Sequence, residues 1–438
     1  MTDSGVVNGE TTRLRREVGL FGAVMLGLGS ILGTGVFVSI GIGASVAGTG
    51  VILAVVLASL VATANGLSSA QLAASYPVSG GTYEYGYKTL NGWWGFAAGW
   101  MFLCAKSASA ATAALGFAGY ALGLFGISSP SWRVGIALIA VAILTGILLQ
   151  GIRRSSSTNT IIVSVTLLAL GFFIVAGLMH MLPVKRDYFV PMFGPTVEGG
   201  EGIHLILNAT ALMFVAYTGY GRVATLGEEV KTPSITIPRA IIGTLIVSLL
   251  LYLGVAVVAI GNVGTRTFAD ITLATSAPLE YIASAFAVPG AGQILAAGAI
   301  SAMLGVLLNL LLGLSRVLLA MGRRGDMPPA VARVNRTSGT PVVALVVMAV
   351  VIAGLVLSGD IRTTWTFSAF TVLVYYAVTN LAALNLPPKQ RRYPRAIAIF
   401  GLMACGFLAF WVPLGVMAAG LGLLGVGFAW RFLYRKYR

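Results

Sequence analysis

The sequence predicts an all-α membrane protein with about twelve transmembrane helices. Of its 438 residues, 57% are hydrophobic and only 9% are charged, whereas a soluble domain carries about 25% charged residues. The apolar residues fall in runs of roughly 20, the length that crosses a hydrocarbon core. The 56 glycines fit the same class, because glycine is more frequent in membrane helices than in soluble ones.

The predicted spans follow one another with short polar connections. They lie near residues 19–46, 51–74, 93–123, 133–151, 159–182, 203–227, 238–262, 291–321, 341–358, 364–386, 396–413 and 415–433. The stretch 264–290 is too polar to span and is expected to form a loop with a short helix. The first apolar run is too long and too rich in glycine for a signal peptide, so we expect it to stay as the first span. Trp93, Trp94, Trp132 and Trp365 lie near span ends and are expected to anchor the chain at the membrane interfaces.

The basic residues predict the orientation of the chain. An even number of spans places both ends on one side, and that side then carries 21 Lys and Arg residues. The other side carries five: Arg133, Lys185, Arg186, Arg266 and Arg362. Because cytoplasmic loops carry an excess of Lys and Arg, we expect a multi-pass protein of the inner (plasma) membrane with both termini in the cytoplasm. The net charge of +15 lies in short clusters between apolar runs, so it does not indicate nucleic acid as a partner.

Two spans carry glycine-rich interruptions. Span 1 contains Gly29, Gly33 and Gly35, and each glycine in a helix interior costs about 1 kcal/mol relative to alanine. Span 6, five spans later and therefore inverted, contains a second such run at 214–221. Close packing of small residues is the alternative for either run alone, but paired interruptions indicate a transporter binding site. Free N–H groups there would bind a carboxylate and free carbonyls an ammonium group, which are the two charges of an amino acid.

At these residues the chain resembles the amino acid–polyamine–organocation transporter superfamily. The run 33–37 is similar to the first-span motif of that superfamily. Further runs are similar to its later motifs and occur in the expected order: 76–83, 214–221, 228–233 with 237–240, and 315–328. The resemblance covers residues 17–345, and beyond them the chain matches mainly in hydropathy.

The resemblance implies a leucine-transporter-like fold with broken helices 1 and 6 and alternating access around a site at the membrane midplane. Residues 1–18 would form a cytoplasmic segment, 19–182 the first five-helix repeat, 203–386 the inverted second repeat, and 396–433 two peripheral helices. The substrate carboxylate would meet N–H groups of the first break, the ammonium group would meet carbonyls of both breaks, and the ring of Phe214 or Tyr217 would be the gate. The implied binding residues are Ser30, Ile31, Gly33, Thr34, Gly35, Phe214, Val215, Ala216, Tyr217 and Gly219.

Two cations fall inside spans. Lys106 lies roughly 20 Å from its span end at 1.5 Å per residue, too deep for an easy reach to the interface. Ionisable groups at such depth mark function, so we predict that Lys106 is a pocket charge or a coupling group, with a snorkelling side chain as the alternative. Arg222 is expected to form a structural ion pair, with Glu228 and Glu229 one turn further on, or a contact to backbone carbonyls below the site, with a gating role as the alternative.

The coupling ion stays open between H⁺ and Na⁺. Many relatives carry an acidic residue where this chain has Gly221, and some carry a fifth-span lysine where it has Thr166. The oxygens of Gly29, Thr166 and Ser301 form a candidate cation site, because hydroxyl and carbonyl oxygens suit hard cations. Hydroxyls in membrane helices more often bond to their own backbone, which is the alternative.

These observations predict a secondary active transporter, a permease or exchanger, of neutral amino acids with small or aliphatic side chains, and uniport, symport and antiport all stay open. The spans contain no carboxylate that could pair with a cationic substrate, and an unpaired buried charge is very costly. An ion channel, a non-transporting nutrient sensor of the same fold, and a carrier of another small organic amine or anion are the alternatives. No catalytic cluster lies in or beside the spans, so we expect no enzyme, no metal site and no cofactor.

Overall fold

The helices of the protein follow the predicted spans in order. The computed structural model describes residues 18–76, 80–127, 129–151, 156–182, 188–189, 202–224, 230–335 and 339–436. Within these residues, nine helices are long and apolar enough to cross a membrane, and three shorter apolar helices accompany them. One of the nine, Gly35–Ser75, joins the second half of span 1 to span 2. The predicted all-α membrane fold with about twelve apolar spans is confirmed.

The helices have the following bounds. They are α1 (Leu20–Ile31), α2 (Ile40–Ala47), α3 (Val51–Ser75), α4 (Thr82–Thr89), α5 (Gly92–Gly123), α6 (Pro130–Leu149), α7 (Ser156–Met181), α8 (Ile203–Tyr217), α9 (Gly221–Ala224), α10 (Pro233–Val263), α11 (Thr265–Thr275), α12 (Pro278–Ser284), α13 (Ala291–Arg323), α14 (Val342–Val356), α15 (Ile361–Leu384), α16 (Arg395–Ala409) and α17 (Leu414–Lys436).

Local side chains set several helix ends. The Asn91 side chain accepts hydrogen bonds from the first-turn N–H groups of α5 at 2.9 and 3.2 Å. Asp360 does the same for α15 at 2.9 and 3.2 Å, and such caps satisfy donors that have no partner inside the helix. Pro130 begins α6, where its missing N–H is not needed. Gly48 ends α2 with φ +56°, a conformation that favours glycine.

The long helix α5 is the centre of the fold. It is mostly buried and packs against α13 and α15. The helix α1 packs against α7 and α10, and α8 packs against α3. The last helix, α17, is mostly exposed and packs against α5 and α15, and its C-terminal arginines reach Asp326 beyond the end of α13.

Three local features differ from the sequence predictions. The stretch 264–290 contains two helices, α11 and α12, rather than one short helix. The helix α4 was not predicted, because its eight residues are polar and follow two glycines. Trp365 is buried at 3% exposure, and its Nε1–H donates to the Leu212 carbonyl at 3.1 Å, so the interfacial role predicted for it is wrong. Its ring lies on the face of α15 that packs against α8.

Candidate functional site

The chain leaves helical geometry after α1. Leu32 is extended, with φ −75° and ψ 103°, and its N–H makes the last bond of α1, to the Leu28 carbonyl at 2.7 Å. A π-helical turn, Gly35–Ser39, then leads into α2. Within the described residues no backbone carbonyl accepts from the N–H groups of Gly33, Thr34 and Gly35. The break therefore offers three unpaired donors at the start of a helix, where an anion is favoured.

The chain of span 6 is interrupted as predicted. The helix α8 ends at Tyr217, a 3₁₀ turn covers Thr218–Tyr220, and the short helix α9 follows. The Thr218 hydroxyl donates to the Val215 carbonyl at 2.7 Å and thereby stabilises the turn. Tyr376 on α15 donates to the Thr218 carbonyl at 3.2 Å. Side chains from other spans therefore bond to carbonyls that the break releases.

Tyr252 on α10 bridges the two breaks. Its hydroxyl lies 3.0 Å from the Ala216 carbonyl and 3.3 Å from the Ile31 carbonyl. These are two of the carbonyls expected to meet a substrate ammonium group. In this conformation a tyrosine hydroxyl occupies that position, which keeps both carbonyls paired without a ligand.

The two broken spans cross at Gly219. A methyl group added to its Cα would lie 2.2 Å from the Ser30 carbonyl oxygen. Only glycine permits this approach, because any side chain at position 219 would collide with the backbone of Ser30. The same contact keeps Ser30 beside the 3₁₀ turn. The Ser30 hydroxyl donates to the Leu26 carbonyl at 3.1 Å.

A cavity of about 780 Å³ begins at this crossing and follows α13 outward. Its lining on α13 runs from Val306 to the exposed Arg323 and Arg324, a length of about 27 Å at 1.5 Å per residue. We call the side where α13 ends the basic face, and the side where it begins the opposite face. Of the described lining residues none belongs to α2, α11 or α12, so the cavity is open to the basic face and closed towards the opposite face.

The charges of the lining are mostly positive. Five cations line the cavity and one carboxylate accompanies them among the described residues. That carboxylate, Glu84, accepts two hydrogen bonds from Arg324 at the mouth, and this hydrogen bonding raises the pKa of Arg324. The lining cations are Lys106, Arg222, Arg316, Arg323 and Arg324.

Lys106 lies at the deep end of the cavity. It is 8% exposed, and its Nζ donates to the Thr218 hydroxyl at 2.8 Å. The ammonium group therefore touches the turn that interrupts span 6. Sequence reasoning placed this residue in the pocket, and the structure brings it to the break.

The structure divides the predicted site residues into two groups. Ser30, Gly219, Lys106 and Arg222 line the cavity. The others are buried between the cavity and the opposite face, and they remain predicted contacts: Ile31, Gly33, Thr34, Gly35, Phe214, Val215, Ala216 and Tyr217.

The buried group is closely packed in this conformation. A methyl group on Gly35 would lie 2.8 Å from the Tyr252 hydroxyl, and one on Gly33 would lie 2.7 Å from Val306. The Phe214 ring meets Tyr376 edge-on, with centres 5.6 Å apart. Tyr217 donates to the Val55 carbonyl at 3.2 Å. These contacts close the path from the cavity to the opposite face.

Arg222 was expected to pair with Glu228 or Glu229, and both glutamates lie outside the described residues. The Arg222 position on α9, one turn below the Gly219 crossing, places it in the wall of the cavity between the crossing and the basic face.

The residues of the candidate cation site make other contacts in this conformation. Thr166 donates to the Ile162 carbonyl at 2.9 Å and Ser301 to the Gly298 carbonyl at 3.0 Å, so both hydroxyls bond to their own helices. Asn309 on α13 reaches the Gly29 carbonyl at 3.5 Å. Asn159 on α7 lies against the Gly29 backbone, and its amide donates to the Met25 carbonyl at 2.8 Å.

Sequence reasoning missed these two asparagines. Both line the cavity, and an asparagine inside an apolar span is a signal that could have found them, because polar groups in membrane helices are costly unless partnered. Their amide N–H groups act on carbonyls of α1 in the way a bound cation would.

The chain is similar to several known proteins. A model of the amino acid permease family matches residues 22–434. An uncharacterized transporter of Mycobacterium tuberculosis is 39% identical over 420 residues, which cover 95% of this chain and 90% of the relative. The branched-chain amino acid permease BcaP of Bacillus subtilis is 29% identical over 459 residues, covering 97% and 94%. Cationic amino acid transporter 9, chloroplastic, of Arabidopsis thaliana is 31% identical over 347 residues, covering 74% and 58%.

Proposed function

The chain belongs to the amino acid permease family, and we propose that it is a secondary active transporter of neutral amino acids with small or aliphatic side chains. The observation that carries this proposal is the cavity between the two broken spans. Its deep end is lined by Ser30, Gly219 and Lys106, with the unpaired N–H groups of the first break buried behind it, and it contains no carboxylate at that end among the described residues. An amino acid brings one anionic and one cationic group to these partners.

The charge of the lining favours neutral substrates over cationic ones. A cationic side chain would enter a cavity whose one described carboxylate already pairs with Arg324. Leaving a buried cation unpaired is far more costly than burying a small apolar side chain. The relative from B. subtilis is named for branched-chain amino acids, and the one from A. thaliana for cationic ones; the lining agrees better with the former. An anionic amino acid is the second candidate, because five cations line the cavity.

Uptake into proteoliposomes tests the substrate class. We expect saturable uptake of leucine, valine or alanine, and a kcat/KM for arginine at least about tenfold lower, which corresponds to about 1.4 kcal/mol. Glutamate should lie between the two. Vesicles without protein are the control for leak, and ionic conductance without saturation would indicate a channel. A kcat/KM for arginine above that for leucine would contradict the proposed class.

The conformation supports the proposal of alternating access. The cavity is open at the basic face and closed by packed side chains towards the opposite face. We infer that the basic face is the cytoplasmic side of an inner membrane, so that the structure represents an inward-open state. Transport then requires the region around Tyr252 and Phe214 to open while the basic face closes around Gly219.

The asparagine pair leads us to expect transport without sodium. The carbonyls of Met25 and Gly29 already accept from Asn159 and Asn309, and the hydroxyls of Thr166 and Ser301 bond to their own helices. A hard cation needs several oxygen ligands gathered at one point, and here these oxygens are held by asparagine amides or directed to their own helices instead. We expect equal uptake rates when choline replaces Na⁺, and no rise in melting temperature on adding NaCl at constant ionic strength. Sodium-dependent uptake would refute this expectation.

A further inference from the structure

Two helices cover the opposite face of the molecule. We call residues 265–284, which contain α11 and α12, the lid. The lid packs against α2 and α13 and also touches the last turns of α5, where a methyl group on Gly119 would lie 2.5 Å from the Thr275 carbonyl. Close contact of this kind requires glycine, because the atom it would strike belongs to the lid backbone.

Tyr120 joins the lid to the broken first span. Its hydroxyl donates to the Phe37 carbonyl at 2.9 Å and accepts from the Leu279 N–H at 3.4 Å. Phe37 lies in the π-helical turn after the break, and Leu279 lies in α12. A movement of α12 away from α5 would therefore release a contact to the segment that closes the site.

Glu280 follows Leu279 and lies where the lid contacts the end of α5. A methyl group on Gly123, the last residue of α5, would lie 2.2 Å from its Oε2. This oxygen is buried and has no hydrogen-bond partner, and no cation pairs with Glu280 among the described residues. The C-terminal carbonyls of α5 also make this place unfavourable for a negative charge.

The other ionisable groups near the lid do not neutralise Glu280. Arg133 donates to the Ala274 carbonyl and the Ser276 hydroxyl, so its charge faces the end of α11. His180 bonds to Asn262. The near half of α13 and the π-helical turn carry no ionisable group, and the near half of α10 carries Tyr252, whose hydroxyl bonds to the Ala216 and Ile31 carbonyls. Apart from Glu280, the ionisable groups on α12 and on the elements packed against it at this face are Tyr120, His180, Tyr252, Arg266, Asp270 and Tyr281.

We infer that Glu280 is a proton-binding site that controls the lid, and that its protonation holds α12 on the end of α5. A protonated, neutral Glu280 can lie against the end of α5 without the cost of burying an unpartnered charge. An ionised Glu280 favours the open lid, in which water reaches the carboxylate. The inference rests on the alternating-access part of the proposed function, since an opening lid is one half of that cycle.

The sign of the pH effect follows from burial. Burial raises the pKa of Glu280 from its ordinary value to about 7 in the closed lid, whereas a solvated glutamate has a pKa of about 4.3. The closed lid thus binds the proton more tightly than the open lid. The extra stability of the closed lid is fully present below the pKa that Glu280 has in the open lid. It is lost as the pH rises through about 7, the pKa of Glu280 in the closed lid.

Distance measurements between two spin labels test the inference. Phe125, after the end of α5, and Thr267, on α11, are both exposed and can be replaced by cysteine in a chain that carries C104A and C405S. In nanodiscs, the ratio of closed to open lid should fall on the order of tenfold between pH 5.5 and pH 8.5. The Gly119→Val variant supplies the distance distribution of a displaced lid, because its side chain strikes the Thr275 carbonyl.

Two variants complete the experiment. Glu280→Gln should keep the closed distribution at both pH values, since a neutral amide replaces the neutral acid. Asp270→Asn is the matched control, because Asp270 is an exposed carboxylate of the same lid, and it should respond to pH like the unchanged chain. A full pH response in Glu280→Gln, or an open lid in it at pH 5.5, would overturn the inference.

The unchanged chain can also overturn the inference by itself if its distances do not depend on pH, so the test does not require that Glu280→Gln folds. Substrate uptake does not enter these measurements. A lid that moves without pH dependence would refute the role of Glu280 and leave the proposed function intact, whereas a failure of leucine uptake would refute the proposed substrate and not the proton site.

Discussion

Replacing Gly219 with alanine is expected to abolish amino acid uptake, with a loss of roughly 100-fold or more. The added methyl group would lie 2.2 Å from the Ser30 carbonyl oxygen and 2.4 Å from its carbon. Neither atom can rotate away, because both belong to the backbone of span 1 where it crosses span 6. The two broken spans would have to separate, and such overpacking costs roughly 1–3 kcal/mol or more. A distorted crossing also displaces the groups that meet the substrate.

Gly313→Ala is the matched control for this variant. Gly313 also lines the cavity, and a methyl group there would meet no atom within 4 Å. Initial rates of leucine uptake in proteoliposomes, normalised to reconstituted protein, should be near those of the unchanged chain for Gly313→Ala and near background for Gly219→Ala. Elution from gel filtration distinguishes loss of transport from loss of folding. Normal uptake by a well-folded Gly219→Ala would show that the crossing does not need this close contact.

Replacing Lys106 with methionine is expected to lower uptake by roughly 10- to 100-fold. The variant removes a charged hydrogen bond to Thr218, and such bonds contribute about 1.5–3 kcal/mol. Methionine keeps a side chain of similar length in the same space, so the packing around position 106 is largely preserved. The loss should therefore come from the turn of span 6 and from the missing positive charge at the deep end of the cavity.

The pattern of the loss distinguishes two roles for Lys106. If its proton is exchanged during transport, Lys106→Met should abolish accumulation against a gradient and spare counterflow exchange. If the charge is fixed, both activities should weaken equally, with an unchanged pH profile. Thr218→Ser is the control, because it keeps the hydroxyl that accepts from Lys106, whereas Thr218→Val removes it. Full activity of Lys106→Met in both assays would leave Lys106 as a snorkelling side chain.

The position of the spans and of the breaks could be predicted from the sequence. Hydrophobic runs are local, and the bilayer requires nearly the same length of each one, so the twelve predicted segments match the helices closely. The interruptions of spans 1 and 6 were equally readable, because glycine and polar residues weaken a helix wherever it packs. The depth of Lys106 followed from counting residues.

The neighbours of each break were decided only by the tertiary structure. Gly29 meets Asn159 and Asn309 rather than Thr166 and Ser301, because the rotation and tilt of α7 and α13 determine which side chains face α1. Those rotations come from the packing of whole helices and leave no periodic signal in nearly uniform apolar runs.

Helix packing also explains why the sequence did not indicate the positions of Trp365 and Glu280. Trp365 lies near the start of its helix like an interfacial anchor, yet its face of α15 packs on α8 and buries it. Glu280 reads as one polar residue in a loop, and only the folding of that loop into α11 and α12 places its carboxylate on the end of α5. Sequence determined which segments cross the membrane and where they break, whereas packing determined which side chains meet at the breaks and at the lid.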